Sequence, residues 1–175
     1  MSRLLVFLGN PGKEYEKTRH NAGFIMADIL YPSLSYQVKF HSAYAKIGND
    51  IILKPMTYMN LSGTAVSEAA SFFKIKADNI VIIHDDLELE LGVARLQVGG
   101  GLQGHNGLRS IKERLGTDSF LRLRIGIGRP KHNDVRNYVT SNFTNDERVL
   151  LEQVIEKSAF LLESDQSLPK EVKIK

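Results

Sequence analysis

The chain has no cysteine. Disulfides and cysteine-ligated zinc are therefore excluded, and a cysteine-free sequence without a signal peptide fits the reducing cytoplasm. Long apolar runs are missing as well. Nothing approaches the roughly 20 consecutive apolar residues of a membrane span, and the stretch Arg3–Leu8 is too short even for a signal-peptide core. The expectation is a cytoplasmic protein with no membrane partner. Charge of one sign is scarce: 23 Lys and Arg stand against 20 Asp and Glu, a net +3. That balance does not by itself imply nucleic-acid binding. There is no internal repeat, low-complexity tract or linker, and no Ser or Cys stands in an activated-nucleophile motif such as G-x-S-x-G. In any hydrolysis, water is then the expected nucleophile.

What is present has ordinary globular proportions, 42% hydrophobic and 25% charged over 175 residues, enough for one domain with a real core. Arg3–Leu8 is a β-rich run ended by Gly9-Asn10-Pro11-Gly12. From Asn21 to Tyr31 apolar residues recur at helical spacing, with Asn21 placed as cap. Tyr44–Ile47 and Ile51–Pro55 read as strands joined through Gly48-Asn49-Asp50. A helix is expected over Leu61–Phe73, with Asn60 or Ser62 as cap. Asn79–Asp86 is a continuous apolar run with a polar end, the pattern of a strand buried on both faces. Val93–Val98 is a shorter strand, followed by the glycine-rich Gly99–Gly107 and a helix from about Leu108 to Leu115. Phe120–Gly128 alternates as a strand with one wet face. A short helix is expected over Val135–Thr140. The last opens at Thr144, where Thr-Asn-Asp-Glu matches a capping box, and runs to about Ser164. The polar tail beyond about 165 is expected to fray. Strands and helices intermix throughout, so residues 1–175 form one α/β domain with a central mixed sheet.

Polar residues at strand ends line the ligand crevice of such sheets, which points to Asn10, Asp85 and the glycine-rich loop. His20, between Arg19 and Asn21, is either a structural loop histidine or a general base, its ordinary pKa of about 6.5 suiting the second role. Asp85 in His84-Asp85-Asp86 ends the most apolar strand. It is either the partner of an imidazole, fixing its tautomer, or a metal ligand. A metal site from His84, Asp85, Asp86 and His105 matches no recognised ligand spacing. Gly99, Gly101 and Gly104 spell G-x-G-x-x-G, but no acidic residue follows at the distance a dinucleotide site requires, and a mobile glycine-rich loop is the preferred reading. Tyr58 and Asn60, between a strand and a helix, are either core and cap or a platform and hydrogen-bonding hook. Asn10, Asn60 and Asn106 supply amides that both donate and accept. From Arg95 to Lys131 basic residues are opposed only by Glu113 and Asp118, a stretch that suits a polyanion or a solvated surface.

Five blocks, "LGNPGKEYEKTRHNAGF", "KPMTYMNLSG", "HDDLELELG", "GGGLQGHNGLRSI" and "RLRIGIGRP", occur in the order found in bacterial-type peptidyl-tRNA hydrolase, and from Arg3 to about Phe143 the chain resembles that family. The resemblance implies a monomeric α/β globule with a twisted mixed sheet surrounded by helices. It implies hydrolysis of the ester between a peptide and the 3′-terminal ribose of tRNA, with no cofactor, metal or obligate protein partner. By position, His20 resembles the catalytic base, Asp85 the carboxylate that keeps it basic, and Asn10 the residue that distinguishes N-blocked from free aminoacyl-tRNA. Tyr15, Tyr58, Asn60 and Asn106 match positions lining the substrate groove at the CCA end. Arg124 matches a basic position facing acceptor-stem phosphates. Gln97 departs from the basic residue common in relatives, Asp86 from a usual Glu, and Leu102 and Gln103 from a loop richer in small residues. Two rival readings remain: a non-catalytic RNA-binding protein on the same scaffold, and a nucleotide-dependent oxidoreductase using the glycine-rich loop.

Overall fold

A computed structural model describes residues 2–163 and 168–175. In chain order the elements are β1 (Arg3–Phe7), α1 (Ala22–Leu30), β2 (Gln37–Lys39), β3 (Ser42–Ile47), β4 (Asp50–Pro55), α2 (Ser62–Phe73), β5 (Ile80–Asp86), β6 (Val93–Val98), α3 (Asn106–Leu115), β7 (Leu121–Gly126), α4 (Val135–Val139), α5 (Asn145–Ser158) and β8 (Lys170–Lys173). The strands make one sheet in the order β2-β3-β4-β1-β5-β7-β6-β8. Its middle, β4-β1-β5-β7, is parallel, and both margins are antiparallel. The expected α/β domain with a mixed central sheet is borne out. No helix among the described residues is long and apolar enough to cross a membrane.

The period-2 alternation of the strands divides the core in two. Leu5, Phe7, Val81 and Ile83 face one side, where Ile25 and Met26 of α1 and Leu151, Val154 and Ile155 of α5 cover them. Leu4, Val6, Ile80 and Ile82 face the other, beneath Val66 and Ala69 of α2 and Leu108 and Ile111 of α3. β1 and β5 are therefore apolar on both faces, as their sequences require. Each such side chain removed from water stabilises the fold by roughly 1.5–3 kcal/mol before entropy is counted.

The structure departs from the sequence expectations at its polar joints. Asn21 precedes α1 but makes no side-chain cap bond; its amide is committed elsewhere, as shown below. Neither Asn60 nor Ser62 caps α2 by side chain, and the Ser62 hydroxyl donates back to the Met59 carbonyl. α3 begins at Asn106 rather than near Leu108, because His105 supplies the cap. The Thr144–Glu147 capping box is present and opens α5; its expected end at Ser164 lies outside the described residues. The tail expected to fray is structured over Lys170–Lys173, since β6 offers a free edge: β8 pairs antiparallel to it and Val172 and Ile174 pack on the core. The start of that tail, 165–167, lies outside the described residues. β2 has no counterpart among the sequence expectations. Its three residues are all exposed, so no hydrophobic pattern marks it. Nor is the basic face of β7 wholly wet, for Arg122 is buried under the glycine-rich loop and donates to the Gly101 carbonyl.

The parallel strands β4, β1, β5 and β7 end at one rim. On either side of β1 the chain departs in opposite directions, to β4 and to β5, which opens a crevice at their carboxyl ends. The glycine-rich loop instead follows β6, which pairs antiparallel with both neighbours. It therefore lacks the parallel βαβ setting that a dinucleotide fingerprint needs.

Candidate active site

His20 lies in a short 3-10 turn, Arg19–Asn21, between β1 and α1. Its two neighbours clamp it. Arg19 reaches outward: its guanidinium bonds Glu147 at 2.8 Å, the Tyr138 carbonyl at 3.2 Å and the Ser141 hydroxyl, and lies over the Tyr138 ring at 4.1 Å. Asn21 reaches inward, donating Nδ2 to the Asn10 carbonyl at 3.0 Å and accepting the Asn10 amide at 2.9 Å. The imidazole between them is buried at the crevice floor.

β5 carries Asp85 to the same point. Its carboxylate is shared: Oδ2 lies 2.8 Å from His20 Nδ1 and Oδ1 lies 2.8 Å from His105 Nε2. Asp85 is only 2% exposed. Burial alone would raise its pKa, but the two imidazoles outweigh that and hold it well below the usual carboxylate range. Burial opposes charge on His20 too, yet the carboxylate beside it, by charge and hydrogen bond, leaves its pKa raised above 6.5. The protons follow from the partners. His105 Nδ1 accepts from the backbone N–H groups of Gly107 at 3.1 Å and Leu108 at 3.3 Å, so its proton sits on Nε2 and points at Asp85. His20 likewise donates from Nδ1 to an ionised oxygen, which leaves Nε2 as its basic atom.

His20, Asp85 and His105 also bring three ligand-type atoms within 4.8 Å of one another. A metal on His105 Nε2 would displace the proton that the two backbone donors on Nδ1 require there. The donor set thus fits a hydrogen-bonded relay better than a cation site. His84, fully buried beside His105, donates from Nδ1 to the Asp85 carbonyl at 2.8 Å, and burial together with His105 lowers its pKa to about 4. It stays neutral. Asp86 turns to β7 and accepts from Arg124 Nε at 2.8 Å.

Asn10 forms the opposite wall. Its Oδ1 accepts from the Met59 backbone N–H at 2.7 Å, and that donor fixes the flip of the amide. The Nδ2 group is the part that contact leaves uncommitted. The residue before Met59, Tyr58, has φ 67° and ψ 153°, a backbone region that residues other than glycine rarely enter. The bend sets its ring edge-on to Tyr15, centroids 6.1 Å apart.

The crevice measures about 690 Å³, and Asn10, Tyr15, His20, Tyr58, Asn60, Asp85 and Asn106 all line it. Of the expected site residues only Arg124 does not. Its guanidinium is held by Asp86 and, at 3.0 Å, by Gln97 Oε1, which also accepts from Arg95. His105, expected only as a metal ligand, is the second imidazole on Asp85, and Met59 and Arg136, both at the crevice wall, stand outside the expected site residues. No sequence signal marks His105 as a cap, since the helical pattern starts only near Leu108 whereas α3 begins at Asn106. Arg136, on a five-residue helix, has none either.

A family model described as Peptidyl-tRNA hydrolase matches residues 4–171. A peptidyl-tRNA hydrolase of Geotalea uraniireducens is 45% identical over 177 residues, covering 96% of this chain and 93% of its own. One of Clostridium botulinum is 47% identical over 163 residues, covering 89% and 86%. The crystal structure of peptidyl-tRNA hydrolase from Acinetobacter baumannii superposes with a TM-score of 0.81 at 40% identity, over 88% of this chain and 83% of that one. The family match spans both walls of the crevice and the strand that carries Asp85, and on it the chain belongs to the peptidyl-tRNA hydrolase family.

Proposed function

We propose that the chain hydrolyses the ester joining a peptide to the 3′-terminal ribose of tRNA, with His20 as general base. The observation that carries this reading is the Asp85 carboxylate shared between two imidazoles, one of which, His20, faces the crevice through Nε2. Nε2 takes a proton from water as the oxygen adds to the ester carbonyl carbon. The carbonyl becomes an oxyanion. As that tetrahedral species collapses, the bond to the ribose oxygen breaks and the imidazolium returns its proton to that oxygen, releasing free peptide acid and tRNA. Asp85 stabilises the imidazolium and keeps Nδ1 protonated. Asn10 Nδ2 donates to a carbonyl oxygen of the substrate, a contact worth about 3 kcal/mol if it falls on the oxyanion.

Tyr15, Tyr58, Asn60 and Asn106 then wall the CCA end and its aminoacyl group. Arg124, with Arg95 beside it, marks the side on which acceptor-stem phosphates lie. Such contacts give affinity without sequence preference. On this reading one copy of the chain acts in the cytoplasm without a cofactor or protein partner. Specificity for a blocked amino group follows from the uncharged amides of the crevice, since a free ammonium would lose solvation that Asn10 and Asn60 cannot replace. The test is cleavage of N-acetyl-aminoacyl-tRNA against unblocked aminoacyl-tRNA, with and without chelator. Selective, chelator-resistant release of tRNA is expected. Folded protein that binds tRNA and cleaves neither would overturn the hydrolase in favour of an RNA-binding protein.

A further inference from the structure

A second groove, of about 560 Å³, lies where β3 begins and β4 ends. Val38, Ala43, Met56 and Leu61 give it an apolar lining with no Asp, Glu, Lys or Arg among the lining residues, and His41 on its wall turns its Nδ1 to Glu68 at 3.3 Å. The exposure is unusual for such side chains, at 90% for Val38, 45% for Met56 and 54% for Leu61. One chain segment borders both the groove and the crevice. Met56, Thr57 and Leu61 face the groove, whereas Tyr58, Met59 and Asn60 between them face the catalytic side. Its walls are set by unusual backbone. Phe40 and His41 both have positive φ in the tight turn from β2 to β3, as Tyr58 does at the junction. The His41 carbonyl accepts the Met56 amide at 2.8 Å, which ties the two walls together.

We infer that this groove holds an apolar side chain of the peptide in peptidyl-tRNA, several residues before the ester. The inference rests on the hydrolase reading above. Two facts of the sheet decide the occupant. From Asp85 on β5, the arginines Arg124 and Arg95 lie in one direction, on β7 and β6, and the uncharged groove lies in the other, past β1 and β4. A polyanion and an apolar peptide leaving the same ester are thereby drawn apart. The reach also fits. Three strand intervals separate β5 from β3, about 14 Å at the usual spacing, which an extended peptide covers in about four residues.

The experiment is a series of N-acetyl-peptidyl-tRNAs of one to six residues, with Leu or Ser at the fourth position from the ester. Wild-type protein is compared with Val38→Ser/Leu61→Ser. Both side chains are at least half exposed, so the fold should tolerate the change; Met56→Ser gives an independent variant. For wild type, KM should fall about tenfold between short substrates and those with Leu at the fourth residue, and much less with Ser. The variants should lose that advantage and cleave the one-residue substrate as wild type does. A flat series for wild type, or equal loss on short and long substrates, would overturn the groove's assignment. So would a concentration-dependent dimer abolished by the same substitutions, which would give the groove to a second copy of the chain. Failure to cleave any member of the series would contradict the hydrolase reading beneath it.

Discussion

His20 is held from both sides by its chain neighbours, Arg19 on α4 and α5 and Asn21 on the Asn10 backbone, so its ring has little freedom except toward Asp85. The proton inventory makes a sharp prediction for Asp85→Asn. An amide has one acceptor and one donor face where the carboxylate has two acceptors. His105 cannot change tautomer, because the Gly107 and Leu108 amides occupy its Nδ1. The new Oδ1 therefore stays with His105 and the new Nδ2 faces His20, which must shift its proton to Nε2 and lose its base. Turnover should fall about 10³- to 10⁴-fold with tRNA binding intact; a loss under tenfold would contradict the shared-carboxylate account. The pH profile follows from sign. The neutral imidazole is the active form and the carboxylate holds the His20 pKa above 6.5, so wild-type turnover should rise with pH to a midpoint above 6.5. A midpoint below 6.5 would mean that burial, not Asp85, dominates.

Residue types revealed part of this in advance. A histidine flanked by hydrogen-bonding neighbours and a carboxylate ending a buried strand were visible in the sequence, as were the groove-lining amides. The second half of the relay was not. His105 bonds Asp85 across twenty residues of chain that include β6 and the glycine-rich loop, and its capping role is visible only where α3 begins at Asn106. Asn21 does stand at the N-cap position, as its place in the sequence suggests, but its amide is spent on the Asn10 backbone: a cap and a clamp both want a short amide at the mouth of a helix, and only distance separates them.

At the scale of elements, the site depends on how closely α2 and α3 approach. Gly63 of α2 donates its amide to the Ser110 hydroxyl at 2.8 Å. A Cβ at Gly63 would come 2.1 Å from the Ser110 carbonyl oxygen and 2.5 Å from its carbon. Backbone cannot yield there without moving α3, whose N-terminal end holds His105 and Asn106. Gly63→Ala should therefore destabilise the fold by about 3 kcal/mol or more and lower turnover in the folded fraction, as thermal unfolding and single-turnover cleavage would show. An unchanged melting temperature would contradict the packing. The strands most legible in sequence were β1 and β5, where burial on both faces demands continuous apolar residues. β2 escaped because an exposed three-residue edge strand is specified by its neighbour β3 rather than by its own side chains.

At the scale of the whole molecule, Arg95, Arg122 and Arg124 stand on β6 and β7, the relay sits where β5 ends, and the apolar-lined groove lies beside β3 and β4. The far margin is closed by β8, which the polar composition of the tail concealed, since its pairing draws on backbone groups of β6 that any residue can meet. Deleting 168–175 removes the half-buried Val172 and Ile174. The melting temperature should drop by about 4–8 °C, for a loss near 2 kcal/mol, while cleavage persists, because three strand intervals part β8 from Asp85. Loss of activity with no thermal change would contradict that separation. If His20 activates water while the remainder of the crevice holds the substrate, His20→Ala in single-turnover cleavage of N-acetyl-aminoacyl-tRNA should lose at least about 10³-fold in rate, with tRNA affinity measured on the same protein nearly unchanged. Near-normal turnover would contradict the role of His20 as the base.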